Sequence, residues 1–200
     1  MEGWILAKRL IHGIDDISQK GFFRDLKTKA RYRRVYGGIG WPSVHAPGCA
    51  VILAEELFKD HEAGKRRLRI LETVQDADPH VLLDKISSMQ ESMCRVDWYG
   101  NTESSWTRIL PKQNNRLFDE RRAGIKLFKP PAFDESDRMG VYSQLLKIRT
   151  GGGIKTFFFD GSSAANDFAQ VVGEMEEDRF PGAAAVLYAL AAMDFRRVTE

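Results

Sequence analysis

The sequence predicts a mixed α/β sheet with helices on both faces. Three strand-like runs come first and are joined by short, polar or turn-rich links, which favour antiparallel neighbours. Further along the chain, helical and strand-like patterns alternate, which favours βαβ units. The expected fold class is therefore α/β, with three antiparallel strands followed by βαβ units.

The three early strands are predicted over residues 35–41, 48–58 and 67–74. The first is glycine-rich and ends at Pro42, and the second contains an apolar run of strand length. Asp78 followed by Pro79 then predicts the start of a helix, because Asp is a good N-cap and Pro suits the first helical position.

The remaining elements follow from changes in apolar spacing and from glycine and proline positions. They are predicted as a helix after Asp78, a strand over 94–99, a helix over 104–122, a strand over 124–128, a helix over 138–148, a strand over 155–159, and two final helices containing 168–175 and 183–195.

Composition excludes several classes of protein. Of the 200 residues, 43% are hydrophobic and 29% charged, which is ordinary for a globular domain and excludes a mainly disordered chain. Lys and Arg number 30 against 28 Asp and Glu, so the net charge of +2 does not by itself indicate nucleic acid. Two cysteines indicate a reducing compartment, and no apolar run reaches the ~20 residues of a membrane span. We expect a cytoplasmic protein without a membrane partner.

Residues 1–34 are predicted to form an N-terminal helical, basic arm, and residues 35–200 the main domain. Between residues 20 and 34 there are seven basic residues and one acidic residue, a local charge of +6. Aromatic residues are interleaved, as in surfaces that bind phosphates and bases. The alternative is a solvated helix whose Phe22 and Phe23 pack on the domain. The candidate nucleic-acid-binding residues are Lys27, Lys29, Arg31, Arg33 and Arg34.

Several segments carry a family resemblance. VYGGIGW at 35–41, VDWYGNTES at 96–104 and FPGAAAVLYAL at 180–190 are similar, in this order, to a first strand, a fourth strand and a closing helix. Over residues 35–195 the chain resembles the ribonuclease H fold and, within it, the nuclease domain of phage large terminases, the DNA-packaging motor proteins. The resemblance implies a viral protein of the host cytoplasm.

The family places three acidic residues around divalent metals, and this chain departs from that pattern. The matching positions are Gly40, Asn101 and Gly182, none of which is acidic. Mg²⁺ and Mn²⁺ are hard cations that need carboxylate ligands for this chemistry. We therefore expect no catalytic residue, no metal site and no cofactor. Glu103, Asp178 and His45 are the candidates for a rearranged site, which would then take Mg²⁺ or Mn²⁺.

The expected function is that of a terminase-nuclease-like domain that has lost metal-dependent catalysis. Its expected partners are double-stranded DNA and a viral packaging or assembly protein. One alternative is an active Mg- or Mn-dependent DNA endonuclease of DNA packaging with the rearranged site. The other is a protein-interaction module that does not contact DNA. Whether the protein is an enzyme is left open, and a non-catalytic binding role is favoured.

Overall fold

The computed structural model describes residues 8–14, 21–57, 67–130, 156–158, 167 and 178–193. The helices predicted over 138–148 and 168–175 lie outside these ranges. Among the described residues, no helix is both long and apolar enough to span a bilayer.

Eight strands and three α-helices make up the described fold. The strands are β1 (Leu10–Ile14), β2 (Gly21–Asp25), β3 (Arg31–Gly40), β4 (Gly48–Leu57), β5 (Arg67–Asp76), β6 (Trp98–Gly100), β7 (Leu127–Phe128) and β8 (Thr156–Phe158). The helices are α1 (Pro79–Ser92), a 3-10 turn (Ser105–Ile109) leading into α2 (Leu110–Asp119), and α3 (Pro181–Ala192).

All eight strands belong to one sheet. Its main path runs β1-β2-β3-β4-β5-β8, and β6 and β7 extend it from β3. Strand β4 is antiparallel to both of its neighbours, β3 and β5, whereas β6 is parallel to β3 and β7 is parallel to β6. The predicted mixed α/β class is confirmed.

Two cores lie on opposite faces of the sheet, because successive side chains of a strand point to opposite faces. In β4, Ala50, Ile52 and Ala54 pack in the core that contains α1 and α2. The intervening Cys49, Val51 and Leu53 pack in the core that contains α3. The apolar run of β4 is thus the signature of a strand covered on both faces.

Helix α3 lies unusually close to β3 because two glycines leave room for it. A Cβ atom added to Gly38 would lie 1.8 Å from the carbonyl oxygen of Ala185, and one added to Gly40 would lie 2.0 Å from that of Pro181. Contacts this short exclude any side chain. The glycine-rich β3 therefore fixes the position at which α3 begins.

The helical arm predicted for residues 1–34 is wrong wherever the chain is described. Residues 10–14 and 21–25 form an antiparallel hairpin, β1 and β2, and β2 pairs with the start of β3. The free edge of β3 supplies hydrogen-bond partners for an extended chain, and this tertiary pairing outweighs the local helical spacing. Residues 1–7 lie outside the described ranges.

Strand β6 is shorter than the predicted strand over 94–99. It pairs with β3 only over Gly37, Gly38 and Ile39. The same edge of β3 is already paired with β2 at Arg31 and Tyr32. Strand β6 thus pairs only near the carboxyl end of β3, and β2 pairs only near its start.

Asp25 holds the hairpin in place. Its carboxylate is fully buried and accepts hydrogen bonds from Arg9 at 2.7–3.1 Å and from the backbone N–H of Lys27 at 2.8 Å. Burial alone would raise the pKa of Asp25, but the hydrogen bonds from Arg9 and from the Lys27 and Thr28 backbone lower it to about 2. The ionised carboxylate thus organises the turn between β2 and β3.

We predict that Gly38→Ala destabilises the protein by at least about 2 kcal/mol, because the new methyl group meets helix backbone. Gly124→Ala is the matched control, since the nearest atom to its added Cβ lies 3.5 Å away. Urea denaturation measures both. Equal midpoints for the two variants would contradict the close packing of α3 on β3.

We also predict a stability change in acid that depends on Asp25. Because its folded pKa is about 2 and the ordinary value is 3.8, its contribution is present above pH 4 and is lost as the pH falls toward 2. The stability difference between wild type and Asp25→Asn should shrink by about 2 kcal/mol over this range. Denaturation at several pH values measures it. Glu103→Gln, which alters an exposed ion pair, should show no such change.

Candidate functional site

Three positions singled out from the sequence lie together at the carboxyl ends of β3 and β6. The parallel register pairs Ile39 with Gly100, so Gly40 and Asn101 follow side by side on neighbouring strands. The indole N–H of Trp41 donates to the carbonyl of Asn101 at 3.1 Å. Gly182 lies in the first turn of α3, whose start presses on Gly40. The geometry of a strand-end site is therefore present.

The groups at these three positions do not fit a divalent metal. The space beside Gly40 that a carboxylate would need is filled by the Pro181 backbone. The Asn101 side-chain oxygen accepts from the Glu103 backbone N–H at 3.0 Å and is used in a local turn. Glycine 182 offers no ligand side chain.

Asp167 is an acidic neighbour that sequence reasoning missed. Its carboxylate accepts a hydrogen bond of 2.8 Å from the backbone N–H of Gly182, at the start of α3. Burial raises the pKa of Asp167 more than this hydrogen bond lowers it. The two residues are fifteen positions apart, so no local sequence signal links them. Asp167 serves as a side-chain cap for a helix that has none at its own N-cap position.

Glu103 lies beside Asn101 and Lys129 in a small cleft at the strand ends. It forms an ion pair with Lys129 at 3.2 Å, and its side chain is 80% exposed. Such an exposed pair contributes little to stability. Glu103 therefore remains a solvated carboxylate beside Asn101.

His45 and Asp178 are brought near each other through Ser43. The Ser43 hydroxyl accepts from the backbone N–H of His45 at 3.0 Å and donates to the backbone carbonyl of Asp178 at 2.5 Å. Both His45 and Asp178 are exposed. Within the described ranges, no group of three or more His, Cys, Asp or Glu side chains is placed to hold a metal ion.

Basic residues of β2, β3 and the turn between these strands form an exposed surface. We call it the hairpin surface, and it comprises Arg24, Lys27, Lys29, Arg31 and Arg33. Arg24 lies directly opposite Arg31 across β2 and β3, and the Arg31 guanidinium lies 5.0 Å from the centre of the Phe22 ring. None of the five forms an ion pair with another residue in the described part of the chain.

Arg34 differs from its neighbours because its side chain is used inside the fold. It donates to the carbonyl of Met193 at the end of α3 and lies 4.0 Å from the Glu55 carboxylate. A cation at a helix C-terminus is favourable. Of the five predicted nucleic-acid-binding residues, Arg34 is the one that stabilises helix packing.

Arg95 is a second residue that sequence reasoning missed. It is exposed in the link between α1 and β6, and it lines a cleft of about 390 Å³ together with Arg33 and Tyr36. Arg95 is isolated from other basic residues in the sequence. Only the register of β3 against β2 and β6 brings it to the hairpin surface.

The similarity of this chain to known proteins is structural. No protein-family model matches the chain, and no curated protein matches it. One solved structure with a similar chain path is the crystal structure of the large terminase nuclease from thermophilic phage G20c. The TM-score is 0.45 and the identity 11%, over 81% of this chain and 87% of that chain. A likeness at this level assigns neither activity nor substrate.

We predict that Asp167→Ala lowers stability by about 1 kcal/mol, because the N–H of Gly182 loses its partner. Asp167→Asn keeps an acceptor and removes a carboxylate whose raised pKa means that ionisation is disfavoured in the fold. Its stability relative to wild type should therefore rise as the pH increases past the ordinary carboxylate pKa. Thermal denaturation from pH 3 to 7 measures both variants. An equal loss for both would contradict the capping role.

Proposed function

We propose that this chain is a terminase-nuclease-like domain that holds DNA on its hairpin surface and does not cleave it. The observation that carries the proposal is the concentration of five exposed cations on β2, β3 and the turn between them, none of which forms an ion pair with another described residue. A protein with a net charge of only +2 that gathers its basic groups in this way presents a local phosphate-binding surface.

The charge balance of β2, β3 and the turn between them supports binding of an anion. Asp25, the one acidic residue in this segment, is buried and neutralised by Arg9. Arg24 and Arg31 lie directly opposite each other, an arrangement that is unfavourable without a counter-charge. A phosphodiester backbone supplies that charge in a regular row. Binding would release the repulsion between the two guanidinium groups.

The strand-end site supports the non-catalytic part of the proposal. Two-metal hydrolysis of a phosphodiester needs carboxylates that hold the ions and balance their charge. Here a helix backbone fills the first position, an amide already engaged in a turn holds the second, and glycine holds the third. A simple Gly40→Asp replacement would not restore a ligand, because its side chain would collide with α3.

The two other interpretations make different predictions. A metal-dependent endonuclease would cut supercoiled plasmid in Mn²⁺, and chelator would stop it. A protein-interaction module would not bind DNA at any salt concentration. DNA binding that weakens steeply with salt, without cutting, is expected from the proposal alone.

We predict that the purified protein binds a labelled 40-base-pair duplex with an affinity that falls as salt rises. Removing two phosphate contacts in Lys27→Ala/Arg31→Ala should lower the slope of log K against log salt by about 1.8. Arg108→Ala/Lys112→Ala removes the same charge from the exposed surface of the 3-10 turn and α2, and should leave the slope unchanged. Fluorescence anisotropy at four salt concentrations measures it.

The same preparations are incubated with supercoiled plasmid and Mn²⁺, with chelator and Glu103→Ala/Asp178→Ala as controls. The expected result is no cutting. Chelator-sensitive cutting that the double variant abolishes would overturn the non-catalytic assignment. Equal slopes for the hairpin and control variants would overturn the assignment of the binding surface.

A further inference from the structure

One edge of β3 is interrupted between two partner strands. Strand β2 pairs with Arg31 and Tyr32, and β6 pairs from Gly37 onward. Residues 33–36 have no strand partner on this edge among the described residues. Neighbouring strands lie about 4.8 Å apart, so the missing pairing leaves an opening one strand wide. The cleft of about 390 Å³ lies at this opening, which we call the sheet gap.

The backbone at the sheet gap faces the cleft. The N–H of Gly37 donates to the carbonyl of Asp97 toward β6 at 3.0 Å. Along a strand, alternate residues direct their N–H and C=O groups to the same edge. The N–H and C=O of Val35 therefore face the gap, where the described strands offer them no partner. An N–H donor at the floor of a cleft is a suitable contact for an anionic oxygen.

The walls of the sheet gap are basic. A bulge between Tyr32 and Arg34 inserts Arg33 as an extra residue, and Arg33 is exposed at the cleft. Arg95 reaches the cleft from the opposite side, on the link before β6. Asp97 is the one acidic residue lining it. Arg33 and Arg95 together outweigh this carboxylate, and Arg34 is already engaged with Glu55.

A row of aromatic rings begins at the same cleft. Tyr36 lines the gap, and its ring centre lies 5.8 Å from that of Tyr99 on β6. The Tyr99 ring is 5.6 Å from Phe128 on β7, and the Lys126 ammonium lies 4.6 Å from the centre of the Phe128 ring. All three rings are half-buried. The row crosses three strands and ends at another cation.

We propose that the sheet gap binds a phosphate of single-stranded nucleic acid and that its neighbouring bases stack on the row of Tyr36, Tyr99 and Phe128. Arginine and backbone N–H groups beside aromatic rings match a phosphate followed by an unpaired base. A duplex keeps its bases stacked on each other and cannot use the rings. The inference rests on the proposed nucleic-acid binding, and it specifies the strand state that is bound most tightly.

The test compares a labelled 20-nucleotide oligo(dT) with a 20-base-pair duplex by fluorescence anisotropy. We expect wild type to bind the single strand more tightly. Tyr36→Leu should weaken single-strand binding about 5- to 100-fold, whereas Tyr36→Phe, which keeps the ring, should remain within about 2-fold of wild type. Duplex binding should change little in either variant.

Arg95→Ala keeps the test independent of core packing, because this side chain is exposed. It should weaken oligo(dT) binding and lower the salt slope by about 0.7, the value for one contact to a single strand. Arg108→Ala, also exposed, is the charge-matched control and should leave both unchanged. Circular dichroism and thermal denaturation establish that each variant is folded.

The outcomes separate the two proposals. If the duplex binds at least as tightly as oligo(dT), or if folded Tyr36→Leu and Arg95→Ala bind like wild type, the sheet-gap inference is overturned. Loss of duplex binding in Lys27→Ala/Arg31→Ala would then leave the proposed function standing. If neither nucleic acid binds, both proposals fail.

Discussion

The shared edge of β3 is the constraint on which the described structure depends. One end of this edge pairs with β2 and the other with β6, and residues 33–36 between them have no strand partner among the described residues. This division places the basic residues of β2 and β3 next to the parallel strands that build the strand-end site. It also leaves the sheet gap, where Arg33 and Arg95 approach each other from segments sixty residues apart in the chain.

At the carboxyl end of β3, the strand packs closely against the backbone of α3. Gly38 and Gly40 allow α3 to lie directly on the strand, and the helix then occupies the space in which a side chain could hold a metal. Asp167 satisfies a backbone N–H at the start of this helix, and Arg34 binds a carbonyl at its end. Hydrogen bonds with these two side chains thus hold both ends of α3, the helix whose start lies beside Gly40.

Patterns with a local physical cause were predicted well. The strand predicted over 48–58 followed from its apolar run and is observed over Gly48–Leu57. The first helix followed from Asp78 as N-cap, and its side chain accepts a hydrogen bond from the backbone N–H of His80. The convergence of Gly40, Asn101 and Gly182 was implied by the family resemblance. The hairpin was missed because its strands of five residues are stabilised by pairing with β3, and isolated pairing of that length carries a weak sequence signal.

The sequence by itself determined the element types along the described part of the main domain, the excess of basic residues before residue 35 and the absence of acidic residues at the three matched positions. The tertiary structure decided which charges remain available. It buried Asp25 against Arg9, engaged Arg34 at the end of α3, and left Arg24, Arg31 and Arg33 exposed. It also brought Asp167 to Gly182 and Arg95 to Arg33. These contacts depend on strand register and helix placement, which couple residues too distant in the chain for any local pattern to reveal.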